Sequence, residues 1–154
     1  MNDYLFEARE ELKRLEHIIY VSLKYTRTVD VILNALHRMI STMEFIIEAF
    51  LIQKVEQGEM TALPKSPALK ATTLAGLCPD EAQLQKYLTF YAYLKTILKL
   101  PYTKREEYRR HVTFVVQLEN STSEIDIDTL TNCEKIVHQF LTYAYEKVAG
   151  VKEE

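Results

Sequence analysis

Apolar residues in segment 28–57 recur at alternating spacings of four and three: Val29, Leu33, Leu36, Ile40, Met43, Ile47 and Phe50. That period places them on one face of an α-helix. Val31, Ile32, Ala35, Met39, Ile46 and Ala49 widen the face past half the circumference, more than a surface helix needs. With no Gly or Pro over about 30 residues, the helix would run roughly 45 Å. It expects apolar neighbours on several sides, from its own chain or a second copy. Its wet side carries Arg27, Asp30, Asn34, His37, Ser41, Glu44 and Glu48, also at threes and fours.

The flanking segments predict partners for it. Leu5, Ala8, Leu12, Leu15, Ile18 and Ile19 mark a first helix over 3–25. The connection to the long helix is short, with Thr26 or Thr28 as its cap, which makes the two helices antiparallel neighbours. Segment 58–79 then holds two of the three Gly and three of the four Pro. Within it Ser66-Pro67 predicts a short helix over 67–75, stopped by Gly76. Asp80, with Gln83 as a capping-box partner, opens a helix whose buried face is Leu84, Tyr87, Leu88, Tyr91, Leu94, Ile97 and Leu98. Pro101 closes it.

Beyond Pro101 the pattern changes period. Thr103 and Glu106 have capping-box spacing, which predicts a brief helical turn over 104–110. Val112, Phe114, Val116 and Leu118 alternate with Thr113, Val115 and Gln117, and Ile125 and Ile127 alternate with Asp126 and Asp128. With turn residues at 120–123 between them, these predict a small β-hairpin. Asp128 would cap a last helix to about residue 148, striped by Leu130, Cys133, Val137, Phe140, Leu141 and Ala144. The fold class is therefore mostly all-α: one domain over 1–154, an up-and-down bundle of four or five helices with a hairpin before the last.

Composition agrees with that picture. The chain has 154 residues, 47% hydrophobic and 27% charged, an ordinary globular balance in one domain. Three Gly are too few for a turn-rich all-β fold. No apolar run is long enough to span a bilayer, and residues 1–14 are too charged for a signal peptide. Cys78 and Cys133 stand alone, so they are read as small apolar side chains and the compartment as the reducing cytoplasm. No cofactor is implied, because no Gly-rich phosphate loop, nucleophile elbow or zinc-finger spacing occurs. His37, between Asp30 and Glu44, lacks a metal-ligand spacing.

Charge changes the picture in one place. Segment 95–111 holds Lys95, Lys99, Lys104, Arg105, Arg109 and Arg110 against Glu106 and Glu107, a net of +4. Residues 112–154 carry three Lys and eight acids, a net of −5, inside a chain of net charge −3. Lys99, Lys104, Arg105, Tyr108, Arg109 and Arg110 are the nucleic-acid-binding candidates, since Arg pairs with phosphate and Tyr offers a face to a base. A basic turn packed on the acidic last helix is the plainer alternative.

The helix order, the Lys65-Ser66-Pro67 helix start, the Tyr-rich 91–100 stretch and Glu107-Tyr108-Arg109-Arg110-His111 together resemble the HEPN superfamily of small prokaryotic helical proteins. HEPN ribonucleases carry an arginine and a histidine four to six residues apart, which that resemblance would place at Arg105 and His111. Here Glu106 follows the arginine, where the family has Asn, Asp or His. In that role His111 would be a general base and Arg105 or Arg109 would hold the phosphate. Three function classes stay open: a module binding RNA or a nucleotide, a metal-independent ribonuclease, and a non-catalytic interaction protein. A homodimer is also expected. The long helix outruns the first by roughly two turns, and that overhang is rich in Ile and Phe.

Overall fold

The computed structural model of the protein describes residues 3–150. Among them five helices and a three-stranded antiparallel sheet follow one another. Helix α1 runs Asp3–His17 and continues through a π-helical turn, Ile18–Ser22, to a last turn, Leu23–Tyr25. Helix α2 is Val29–Glu56, α3 Pro67–Leu77 and α4 Ala82–Ile97. Strands β1 (Tyr102–Arg105), β2 (Thr113–Gln117) and β3 (Thr122–Ile125) precede α5, Ile127–Ala144, which ends in a second π-helical turn, Tyr145–Ala149. No helix among the described residues is long and apolar enough to cross a membrane.

Helix α2 is the centre of the core. Ile32, Ala35, Leu36, Met39, Met43, Ile46, Ala49 and Leu51 are fully buried and cover most of its circumference, as the wide apolar face requires. Thr28 caps it, its hydroxyl accepting from Val31 N–H. Helix α1 lies antiparallel beside it. Tyr4 meets Phe45 with ring centroids 6.4 Å apart, and buried Glu11 receives Arg38 at 2.9 Å, so residue numbers fall along one helix as they rise along the other.

The expected overhang of α2 is closed within the chain. Helix α3 packs there with Leu74 fully buried, Leu63 is tucked against the core, and Phe50 lies between Phe140 at 6.4 Å and Tyr143 at 6.0 Å. Leu69 does not join them and is exposed. Most of the apolar surface from which a dimer seam was argued is thus covered, while Ile52 and Val55 stay only half-buried. Glu48, expected on the wet side, is buried and paired with Lys70 of α3 at 2.8 Å. It holds the covering helix in place.

Other boundaries shift for local reasons. Ser66 caps α3 through Leu69 N–H as its sequence predicts, but Gly76 lies within the helix and Cys78 ends it. Helix α4 begins after Glu81, without a side-chain cap, so Asp80 and Gln83 form no capping box; Gln83 instead donates to the Tyr87 hydroxyl. Asp126 caps α5 through Thr129 N–H in place of Asp128, and Ile127 is already helical. Gly150 closes the π-helical turn Tyr145–Ala149 at φ 69°.

The hairpin is present as β2 and β3, with Phe114 opposite Ile125 and Val116 opposite Ser123. A third strand lies where a helical turn was expected. Tyr102 to Arg105 pair antiparallel with β2, Tyr102 opposite Val116 and Arg105 opposite Thr113. The Thr103–Glu106 spacing caps nothing, because Glu106 adopts φ 54° and leaves the strand into a turn. Strand β2 is central and its first four residues are buried; β1 is an edge strand exposed along its whole length.

Candidate nucleic-acid interface

Seven residues, 106–112, join β1 to β2. They form two successive turns: Arg109 N–H donates to the Glu106 carbonyl and Val112 N–H to the Arg109 carbonyl, both at 3.1 Å. Glu106 and Tyr108 hold positive φ, 54° and 67°. Side chains other than Gly pay roughly 1–3 kcal/mol for that conformation, so the surroundings must impose it. They do so through two bonds to the α1–α2 junction. Tyr108 N–H donates to the Arg27 carbonyl at 2.6 Å, and Glu107 Oε2 accepts from Val29 N–H at 2.9 Å. Glu107 therefore serves as a second cap on α2, where a carboxylate favours the positive end of the helix.

Val112 turns into the core, while Tyr108, Arg109 and Arg110 point outward. Tyr108 is 79% exposed, and across the docking bond Tyr25, at the end of α1, is 84% exposed. These are the two most exposed large hydrophobic side chains among the described residues. Arg109 and Arg110 are exposed, and no described carboxylate lies within ion-pair distance of either.

The other basic candidates are engaged. Lys104 reaches Asp30 at 3.4 Å and Glu107 at 3.7 Å, and the Asp30 bond raises its pKa. Arg105 clasps Glu124 of β3 with both Nη atoms, at 3.0 and 2.6 Å. That fork raises the arginine's pKa and lowers the carboxylate's. Lys95 faces Glu44 at 3.7 Å. Lys99 is exposed in the turn after α4, outside the loop.

Arg105 is not among the residues lining the cavity on which His111 opens. His111 opens on a cavity of about 200 Å³ lined by Arg27, Arg110, His111, Asp126, Ile127 and Asp128. Arg27 Nε is buried and has no hydrogen-bond partner. Asp126 is held below the usual carboxylate range chiefly by the Thr129 N–H it accepts, with nearby His111 adding to the effect. No group of His, Cys, Asp and Glu among the described residues could hold a metal ion. Cys78 and Cys133 are free and half-buried; burial pushes the Cys133 thiol up to about 11, so neither is poised as a nucleophile.

Tyr25, Asp126 and Asp128 are not among the site residues expected from sequence, and Arg27 is expected only in the polar stripe around His37 on the long helix. No family model, curated protein or solved structure matches this chain.

Proposed function

We propose that the protein binds single-stranded nucleic acid where the 106–112 loop docks on the start of α2. The observation that supports this most is the bond from Tyr108 N–H to the Arg27 carbonyl. It joins two distant stretches of chain so that Tyr25 and Tyr108 flank Arg27, with Arg109 and Arg110 beside them. Chain geometry keeps the Cα atoms of the two tyrosines within about 14 Å of each other. That is a span of a few stacked nucleotides. Each phenol ring offers a face worth roughly 1–3 kcal/mol per base, and the unpaired arginines can take phosphate oxygens in bidentate fashion. The helices, read as an up-and-down bundle, serve as the rigid platform, and every residue of the site comes from one chain.

The test is fluorescence anisotropy with a labelled single-stranded RNA of about ten nucleotides. Two phosphate contacts should cost about sevenfold in affinity between about 50 and 200 mM salt. Tyr25→Ala and Tyr108→Ala should each weaken binding by about tenfold. Arg109→Ala with Arg110→Ala should flatten the salt dependence and change stability by less than about 1 kcal/mol. A wild-type protein that binds no RNA at low salt removes the proposal.

The HEPN resemblance supports a second reading, RNA cleavage with His111 as base. In its favour His111 faces a cavity beside two arginines, Arg27 and Arg110. The expected pair would need Arg105 to leave Glu124, whereas binding requires no rearrangement. RNA cleavage that persists in His111→Ala would dispose of it.

A further inference from the structure

The cavity beneath the loop has a chemistry of its own. Two arginines and a histidine stand on one side of its composition, and two aspartates on the other. The Nε of Arg27 is sealed from solvent and makes no hydrogen bond. Arg27 forms no ion pair with a described carboxylate, so its positive charge stands uncompensated beside the cavity. Arg110 has no described carboxylate within ion-pair distance, so its guanidinium is also available.

We infer that this cavity holds a phosphate monoester, the phosphorylated end of a nucleic-acid strand or a free nucleotide, on Arg27, Arg110 and His111. The inference rests on the reading of the loop as a nucleic-acid surface and adds the end chemistry to it. Size favours an end over an internal stretch, because about 200 Å³ lies below the roughly 300–1,000 Å³ of pockets that enclose larger ligands. A terminal phosphate carries close to two charges at neutral pH, against one for an internal diester, so it gains more from paired guanidinium groups. The aspartates sort the rest of the ligand. Asp126 already accepts Thr129 N–H at 2.8 Å, which leaves Asp128 as the freer acceptor. A carboxylate repels phosphate but accepts a hydroxyl, and a pentose supplies hydroxyls next to the phosphate. Inorganic phosphate lacks them and should bind more weakly than a nucleotide.

The experiment compares three RNAs of one sequence and internal label, ending in a 5′-phosphate, a 3′-phosphate or hydroxyls only, with adenosine monophosphate as a free competitor. One phosphorylated strand should bind about tenfold tighter than the hydroxyl-ended strand. His111→Gln should erase that preference while the hydroxyl-ended strand keeps its affinity, and Arg27→Gln should erase it as well. Displacement of only the phosphate-dependent increment by the mononucleotide would identify the same cavity as its site. Equal affinity for all three strands overturns the inference and leaves the strand-binding surface intact. If no strand binds, that surface falls, and direct titration with the mononucleotide decides the cavity. Binding that is lost in Arg27→Gln upholds the cavity as a phosphomonoester site, and no binding overturns it.

Discussion

Tyr108 stands at φ 67° with its ring in water, so its fold-level neighbours gain nothing from the ring itself. What holds it is the backbone bond to Arg27 and the cap that Glu107 makes on α2. Strain of this kind, retained without a packing benefit, accumulates at functional surfaces. Tyr108→Gly should therefore leave thermal stability unchanged or raise it by up to about 1 kcal/mol, while weakening RNA binding. A marked loss of stability would mean that the ring packs more than its exposure indicates. Glu134 shows the opposite situation, a carboxylate buried beneath Tyr20, whose hydroxyl donates to it at 3.3 Å. Burial first, and then repulsion from Glu16, raises its pKa above the ordinary value. A carboxyl raised in the folded state contributes most to stability when protonated, below the unfolded pKa of about 4.3. That contribution is lost as pH rises through the folded value. Glu134→Gln keeps an acceptor for Tyr20 and removes the charge, so it should be more stable than wild type at pH 7 and lose that advantage near pH 4. Melting curves at the two pH values check it, and an advantage at pH 4 alone would reverse the sign.

At the scale of elements, α3 is the piece whose attachment is least obvious, since it is short and its Leu69 faces solvent. Leu74 and the Lys70–Glu48 pair fasten it to α2. The two ends of that pair are not equivalent. The Glu48 side chain is 11% exposed and that of Lys70 24%, so removing the lysine strands a nearly dry carboxylate, whereas removing the glutamate leaves an ammonium that can swing into water. Lys70→Met should cost about 2–3 kcal/mol and Glu48→Gln about 1 kcal/mol in denaturant unfolding. Equal costs would show that the pair is fully hydrated. The same residues explain what could be read from sequence. Long periodic stripes announced α1, α2, α4 and α5, because burial on one side writes itself into spacing, whereas α3, with Leu74 as its one buried residue, was announced by its Ser66-Pro67 start. Strand β1 could not announce itself, since all four of its residues are exposed and their order answers only to pairing with β2. Glu48 looked solvated because its period matched the wet stripe, and only the return of α3 buried it. The loop residues Tyr108, Arg109 and Arg110 were visible as a basic, aromatic run. Tyr25 and Arg27 were not, because the bond that makes them part of the same surface crosses about 80 residues of chain.

For the whole molecule the question is whether the long helix needs a second chain. Its distal half is rich in Ile and Phe, and an uncovered patch of that kind on a folded protein marks an interface. Here the chain covers it from three directions. Leu74 of α3 comes from one side. Phe140 and Tyr143 of α5 bracket Phe50, and Tyr87 of α4 stacks on Phe140 with centroids 4.8 Å apart. Gln53 then ties the end of α2 to the last turn by donating to the Lys147 carbonyl at 3.1 Å. Phe50 is 4% exposed within one chain, so a charge placed there lands in the aromatic cluster of the monomer. Losing a buried Phe costs about 3–5 kcal/mol and burying an unpaired carboxylate adds to it, a sum comparable to the 5–15 kcal/mol that holds an ordinary domain together. Phe50→Asp should therefore abolish the cooperative unfolding transition and most of the near-UV signal of the tyrosines. Sedimentation and far-UV spectroscopy on the same sample separate this from the dimer expectation. A Phe50→Asp chain that stays fully helical while its mass falls to half that of the wild type would place Phe50 in a seam between two copies and not in the core of one.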